Sequence, residues 1–149
     1  MNLKKLSIAA DHGGFELKEE LVKALRGAGY EVADKGCFGR ESVDYPDFAK
    51  LVCDDVNGGG AELGVLVCTS GIGMSIAANK ISGIRAALCL SVDAGKFSRL
   101  HNNANVCCLG AKYLDAQTAL EIVETFAQTE FEGGRHSRRV DKFMSFEKH

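Results

Sequence analysis

Apolar and polar positions along this chain follow two alternating rhythms. Largely apolar runs at Leu6–Ala10, Leu63–Cys68, Ile84–Leu90 and Asn105–Leu109 predict strands covered on both faces, with a shorter one at Tyr30–Ala33. Between them, apolar residues recur at helical steps. Leu17, Leu21, Leu25 and Ala28 predict a first helix that Gly29 stops. Phe48, Val52 and Val56 predict a second, with Asp44 placed to cap it, Pro46 in its first turn and Asn57–Gly60 at its end. A short helix is expected over Ser75–Lys80 and another from Asp93 to about His101. A long amphipathic helix starts at Asp115 and turns Leu120, Val123, Phe126 and Ala127 inward. Repeated strand–helix units with one proline, no long linker and no internal repeat predict a three-layer α/β/α sandwich on a five-stranded parallel sheet.

That architecture locates a site before any chemistry is considered. Ligands of such sheets bind beyond the carboxyl ends of the strands, where the loops into the helices converge. Those loops hold Asp11-His12-Gly13-Gly14, Lys35–Tyr45, Cys68–Gly73, Ser91–Asp93 and Gly110–Lys112. The chain's polar and reactive residues gather there.

Composition narrows the picture. A length of 149 residues suits one domain spanning 1–149, large enough to fold without covalent staples. A formal charge of −2 gives no general attraction to nucleic acid or to an anionic membrane, so any bound anion must be held locally. No apolar run approaches a membrane span. The N-terminal MNLKKLSIAADHGG reaches Asp11 and His12 too early for a signal-peptide core, and cytosol is the expected compartment. The six cysteines mostly lie inside apolar runs, as small buried hydrophobes kept reduced would, and no CxxC or HxxxH pair suggests a zinc site.

Cys68 has a different setting. Cys68-Thr69-Ser70-Gly71-Ile72-Gly73 runs from a buried strand into a helix start, where unpaired N–H groups and the helix dipole favour negative charge. Glycines at 71 and 73 let a ligand approach the backbone. A thiol in that field is expected to have a raised thiolate fraction. A thiolate beside N–H donors suits removal of a proton from carbon and stabilisation of the resulting oxyanion. The alternative is a buried cysteine before an ordinary turn. A dinucleotide fingerprint is excluded, because the glycines follow the third strand with the wrong spacing, and a P-loop lacks its Gly-Lys-Ser/Thr. Asp11 and His12 offer an orienting carboxylate and a group active near neutral pH, or else a plain cap. Arg99-Leu100-His101-Asn102-Asn103 reads as easily as a polar helix end. Arg135 and Arg139, four apart, would share one helix face and could grip a phosphate, or could belong to a solvated basic turn.

The segments DHGGFELKEEL, ESVDYPDFA, VCTSGIGMSIAANKISGIRAA, RLHNNANV and FEGGRHSRRV, in this order, resemble the type B ribose-5-phosphate isomerases. They are also similar to the wider group with the allose- and galactose-phosphate isomerases. The resemblance spans nearly the whole chain. It implies a Rossmann-like fold, no metal or other cofactor, a phosphorylated sugar as substrate, and a homodimer or dimer of dimers with sites at the subunit interface. By it, Cys68 moves the proton between C1 and C2, and Ser70 helps move protons between the sugar oxygens. The backbone of Thr69, Gly71, Ile72 and Gly73 holds the enediolate. His101 assists ring opening with Asp11 nearby, and His12, Arg135 and Arg139 bind phosphate. Tyr45 and Asn102 line the sugar, with His101 and Asn102 supplied by the neighbouring subunit. The segment 133–149 is expected at the site or the interface. Two departures stand out. Thr69 replaces a usual glycine, and Lys112 stands where an arginine often binds phosphate, with a point charge in place of a planar fork. Relatives with a glutamate base carry it near Met74 and Ser75, so that variant is absent here. The carbon number of the sugar stays open, as does a non-catalytic paired subunit.

Overall fold

The computed structural model describes residues 3–147; Met1 and Asn2 of the N-terminal reading, and Lys148 and His149 of the expected tail, lie outside the described residues. The elements run β1 (Leu6–Ala10), α1 (Phe15–Gly27), β2 (Val32–Asp34), α2 (Tyr45–Asn57), β3 (Leu63–Cys68), α3 (Ile72–Asn79), β4 (Ala86–Leu88), α4 (Val92–Asn102), β5 (Val106–Gly110), α5 (Ala116–Gln128) and α6 (Arg135–Met144). The strands form one parallel sheet in the order β2-β1-β3-β5-β4, with helices on both faces.

Alternation along the central strands divides the core in two. Leu6, Ile8, Val65, Val67, Cys107 and Leu109 face α1 and α5, where Leu21, Leu25, Ile122 and Phe126 complete the packing. Ala9, Leu66, Cys68, Val106 and Cys108 face α2 and α3 against Ala49, Val52, Met74 and Ala78. Gly64 is required where β3 passes under α2, since a Cβ there would lie 2.5 Å from Val52 Cγ1. β1, β3 and β5 are buried along their whole length, so their sequences show no polar alternation.

Four elements differ from expectation. β2 begins two residues late, because Tyr30 turns into the core and its hydroxyl accepts a hydrogen bond from Gln128 at 3.0 Å. α2 starts without a side-chain cap from Asp44. α3 begins at Ile72, three residues before the expected Ser75, since Gly71 closes the turn in a left-handed conformation (φ 79°). β4 is only Ala86–Leu88 and is half-buried, not buried, because it is the sheet's outer strand with β5 as its sole neighbour.

Lys18 in α1 is fully buried. Its ammonium pairs with Asp34 at 2.8 Å and Glu19 at 2.7 Å and lies over the rings of Phe15 and Phe38. An unpaired ammonium there would cost several kcal/mol, about 3–5 when one partner of such a pair is removed. The pair ties α1 to the strand end from which the loop toward Tyr45 departs. Among the described residues, no helix is long and apolar enough to cross a membrane.

Candidate active site

From β1 the chain turns to β2 on one side and then to β3 on the other, so the loops after β1 and β3 leave in opposite directions. The crevice of this sheet therefore opens between Ala10 and Cys68. A small cleft of about 250 Å³ lies there, lined by Asp11, Tyr45, Cys68, Thr69, Ser70 and Gly73. It is smaller than the usual 300–1,000 Å³ of drug-sized ligand sites, and suits a compact polar molecule.

Glycines bring the loops together. A Cβ on Gly13 would lie 2.1 Å from Thr69 Oγ1, and one on Gly14 would lie 2.4 Å from the Val67 carbonyl oxygen. The first loop can thus lie directly on the third strand. A Cβ on Gly73 would meet the Tyr45 ring at 2.8 Å, so the phenol rests against the first turn of α3. Asp11 is buried, and its Oδ1 accepts the N–H groups of Gly13 (2.9 Å) and Gly14 (3.1 Å), which fixes the carboxylate at the cleft. His12 Nδ1 accepts the Val43 N–H at 3.2 Å, which leaves Nε2 carrying the proton, a donor suited to an anion.

Cys68 is 5% exposed at the floor of this cleft. The Gly71 N–H donates to its sulfur at 3.2 Å, and a donor aimed there stabilises negative charge on it. The Ile72 N–H donates to Ser70 Oγ at 3.2 Å. Of the backbone run from Thr69 to Gly73, two donors are therefore engaged within the loop. The Gly73 N–H, in the first helical turn, has no intrahelical acceptor and is available to an oxyanion. Three of the other thiols are harder to ionise than an ordinary thiol. Burial, then the charge of Asp54, pushes Cys53 up to about 12, and burial weighs on Cys107 and Cys108, whose values lie well above the ordinary thiol. For Cys107 a hydrogen bond to Cys89 comes first.

Lys112 is placed elsewhere. It lines a neighbouring cleft of about 460 Å³ with Glu16, Glu20 and Asp115, and Thr69 is the wall between the two.

The remaining expected residues form a second group. α4 leaves the carboxyl end of β4 and returns to the amino end of β5, so His101 and Asn102 lie at the opposite edge of the sheet from Cys68. The separation is about the length of β5, roughly 15 Å. α6 packs on α4 and carries Arg135 and Arg139 to the same end. Between these helices the rings of His101 and His136 stack, 4.1 Å between centroids and 12° from parallel, with Phe97 tilted against His101 at 5.1 Å. One Glu132 oxygen lies 3.7 Å from His101 Nε2 and 4.0 Å from His136 Nε2. These three ligand atoms sit within 4.8 Å of one another, a spacing a metal ion can span. Stacked rings, however, direct their in-plane lone pairs side by side, not at a common point, and Arg135 and Arg139 oppose a cation there. The group suits a proton better than a metal. A larger cavity, about 750 Å³, lies between β4 and α6 and includes Asn102 but none of the Cys68 cluster.

The family model described as Ribose/Galactose Isomerase matches residues 6–143. The chain belongs to this family. Within the Ribose/Galactose Isomerase family it is similar to the ribose-5-phosphate isomerase B of Escherichia coli strain K12, with 41% identity over 145 residues, covering 97% of each chain. A putative sugar phosphate isomerase of Rickettsia bellii is 45% identical over 142 residues, 95% of this chain and 99% of that one. Among solved structures, a ribose 5-phosphate isomerase from Thermotoga maritima superimposes with a TM-score of 0.94 at 49% identity, covering 95% of this chain and 98% of that one. The ribose-5-phosphate isomerase B of Mycoplasma genitalium with bound ribulose-5-phosphate gives 0.90 at 40% identity, covering 95% of each. The Ribose/Galactose Isomerase fold is thus the α/β fold expected from the sequence.

Sequence reasoning passed over Glu132 and His136 as site residues, although both lie within a segment it singled out. Their four-residue spacing beside the two arginines was the available signal, although Glu132 lies in the loop before α6. Gly71 shows how closely the Ribose/Galactose Isomerase loop is fitted. A Cβ there would sit 2.7 Å from Leu88 Cδ1 and 2.8 Å from the Leu109 carbonyl carbon, on a backbone with φ 79°. Gly71→Ala is expected to cost at least about 2 kcal/mol in a denaturant titration and to lower turnover by moving the N–H off Cys68. Unchanged stability and turnover would show that the loop has more freedom than this.

Proposed function

We propose that this protein interconverts ribose 5-phosphate and ribulose 5-phosphate through a cis-enediolate, with Cys68 as the base. The observation that carries this reading is the Cys68 sulfur at the floor of the β1/β3 cleft, with the Gly71 N–H on it and the Asp11 carboxylate fixed beside it. The Cys68 thiolate takes the proton from C2 of the open-chain aldose. The C–H electron pair becomes the C1–C2 double bond, and the carbonyl electrons move to O1, where the Gly73 N–H steadies the charge. Ser70 carries the O2 proton to O1, the thiol returns its proton to C1, and the C2 carbonyl forms. His12 binds the phosphate.

Before this, the cyclic sugar must open. Asp11 takes the 1-hydroxyl proton, the ring C1–O bond breaks with its electron pair going to oxygen, and His101 gives that oxygen a proton. His101 lies across the sheet from Cys68 of its own chain, so this role belongs to a second copy that brings the ends of its α4 and α6 to the cleft. Arg135 and Arg139 of that copy add to the phosphate grip. Ile72 (48% exposed) and Ile76 (58%), one turn apart on α3 beside the cleft, with exposed Leu90 and Phe97, support an apolar contact between copies. The working unit is a homodimer or a dimer of dimers, with the segment from Gly133 onward at the shared site. Six free, buried thiols suit a reducing cytosol.

A panel of four- to six-carbon sugar phosphates, assayed with the purified chain alone, tests the substrate. Ribose 5-phosphate is expected to lead in kcat/KM by more than about tenfold, the discrimination that one added or missing carbon in a fitted pocket supports. A six-carbon sugar ahead of it would move the assignment to the alternative that Thr69, as the cleft wall, favours. No turnover of any member would favour a non-catalytic subunit.

A further inference from the structure

The His101–His136 stack and the Glu132 carboxylate beneath it have no part in the chemistry described so far beyond His101 itself. His136 is buried, and its Nε2 is a buried side-chain atom without a hydrogen-bond partner. A buried imidazole nitrogen left unpaired carries a cost that another arrangement of the ring would relieve. Glu132 is held to α4 through its backbone, its N–H donating to the Leu100 carbonyl at 3.1 Å, while its side chain is 55% exposed. The main chain thus anchors the residue beside the pair.

Resting on the proposed ring-opening role of His101, we infer that Glu132 and His136 are positioning residues that hold the His101 ring in place and keep one transferable proton on it. The stack fixes the plane of the His101 ring from one side, and Phe97 fixes it from the other. Two imidazolium rings face to face would repel, so the pair takes up no more than one extra proton, and Glu132 attracts it. The groups facing His136 agree on where that proton rests. Burial first, then the facing His101 ring, together with Arg135 and Arg139 on its own helix, hold His136 below the ordinary imidazole value, with Glu132 the opposing influence. His101 is the more exposed ring, and in the proposed reading it is the one that reaches the neighbouring copy's cleft.

The test separates ring opening from enolisation. A 2-ketose 5-phosphate has its C5 oxygen esterified and cannot close a five-membered ring, so exchange of its C1 hydrogen with solvent needs Cys68 but no ring opening. Turnover of the cyclic aldose needs both. Glu132→Gln and His136→Ala are each expected to lower aldose turnover by about tenfold or more, part of the 10²–10⁴ that a placed acid contributes. C1 exchange from ribulose 5-phosphate in deuterium oxide should stay within about twofold of the parent rate. In Glu132→Gln the alkaline limb of aldose kcat/KM should also move to lower pH, because the anion that favours the charged ring is gone. If both reactions fall together, or neither falls, the inference is wrong. His101→Asn, run alongside, tells the two ideas apart. If it shows the split and the other variants do not, the positioning role alone is lost. If it spares aldose turnover, the ring-opening reading falls and takes this one with it.

Discussion

Cys68→Ala should reduce turnover of ribose 5-phosphate by at least about 10²–10⁴, the contribution of a placed general base, while leaving substrate affinity within a few-fold. The asymmetry follows from position. The sulfur is small and sits at the floor of the cleft, where the proposed mechanism sets it against the reacting carbon, and that mechanism draws affinity from groups around it: His12 for the phosphate and Asp11, Tyr45 and the Gly73 N–H for the sugar. Removing one buried sulfur also costs little packing, on the order of 1–2 kcal/mol for a side chain this size, so the variant stays folded. Equilibrium binding of a sugar phosphate beside steady-state kinetics makes the measurement, and loss of C1 exchange identifies the missing step. Cys68→Ala with turnover near that of the parent would remove the thiolate from the mechanism. Weakened binding in proportion to turnover would make Cys68 a structural residue of the loop.

What the sequence made legible follows the reach of each signal. β1, β3 and β5 are central strands, and unbroken apolar runs are what a doubly covered strand demands, so LSIAA, LGVLVC and VCCLG announce themselves. The cleft residues were legible for a related reason, since Asp11 and Cys68 directly follow or end such strands and a parallel sheet puts those ends together. α3 began earlier than its pattern suggested. Gly71 and Gly73 read as turn residues, yet one closes the turn and the other lies in the first turn of α3, where Tyr45 packs against it. β4 looked like an inner strand because its residues are apolar. It lies at the sheet's edge, half-covered within one chain, and composition alone does not distinguish burial by a neighbouring strand from burial by another molecule. Lys18 ran against the general rule for lysine, and only its step from Leu21, Val22 and Leu25 marked the core face of α1. The pairing of His101 with His136 joins residues 35 positions apart on two helices, a contact that no local period encodes.

Mixing two inactive variants should restore activity. Cys68→Ala removes the base and keeps His101; His101→Asn does the reverse. Within one chain these residues stand at opposite ends of the sheet, with α4 running the length of β5 between the level of Cys68 and that of His101. If each cleft takes Cys68 from one copy and His101 from the other, a mixed dimer has one cleft lacking both groups and one cleft with both intact. Random re-association of equal amounts makes half of the dimers mixed, each with one working cleft of two, so about a quarter of the parent activity should return under this symmetry. The two homodimers alone give almost none. The recovered activity should follow subunit exchange, appearing after mild dissociation and re-association and not on simple mixing of dimers that exchange slowly. A chain that used its own His101 would have no complete cleft in any mixture, and activity would stay at the level of the separate variants. The same experiment with Arg135→Ala in place of His101→Asn asks whether the phosphate grip crosses the interface as well. Both residues lie at the α4–α6 end, so the two pairings should recover together.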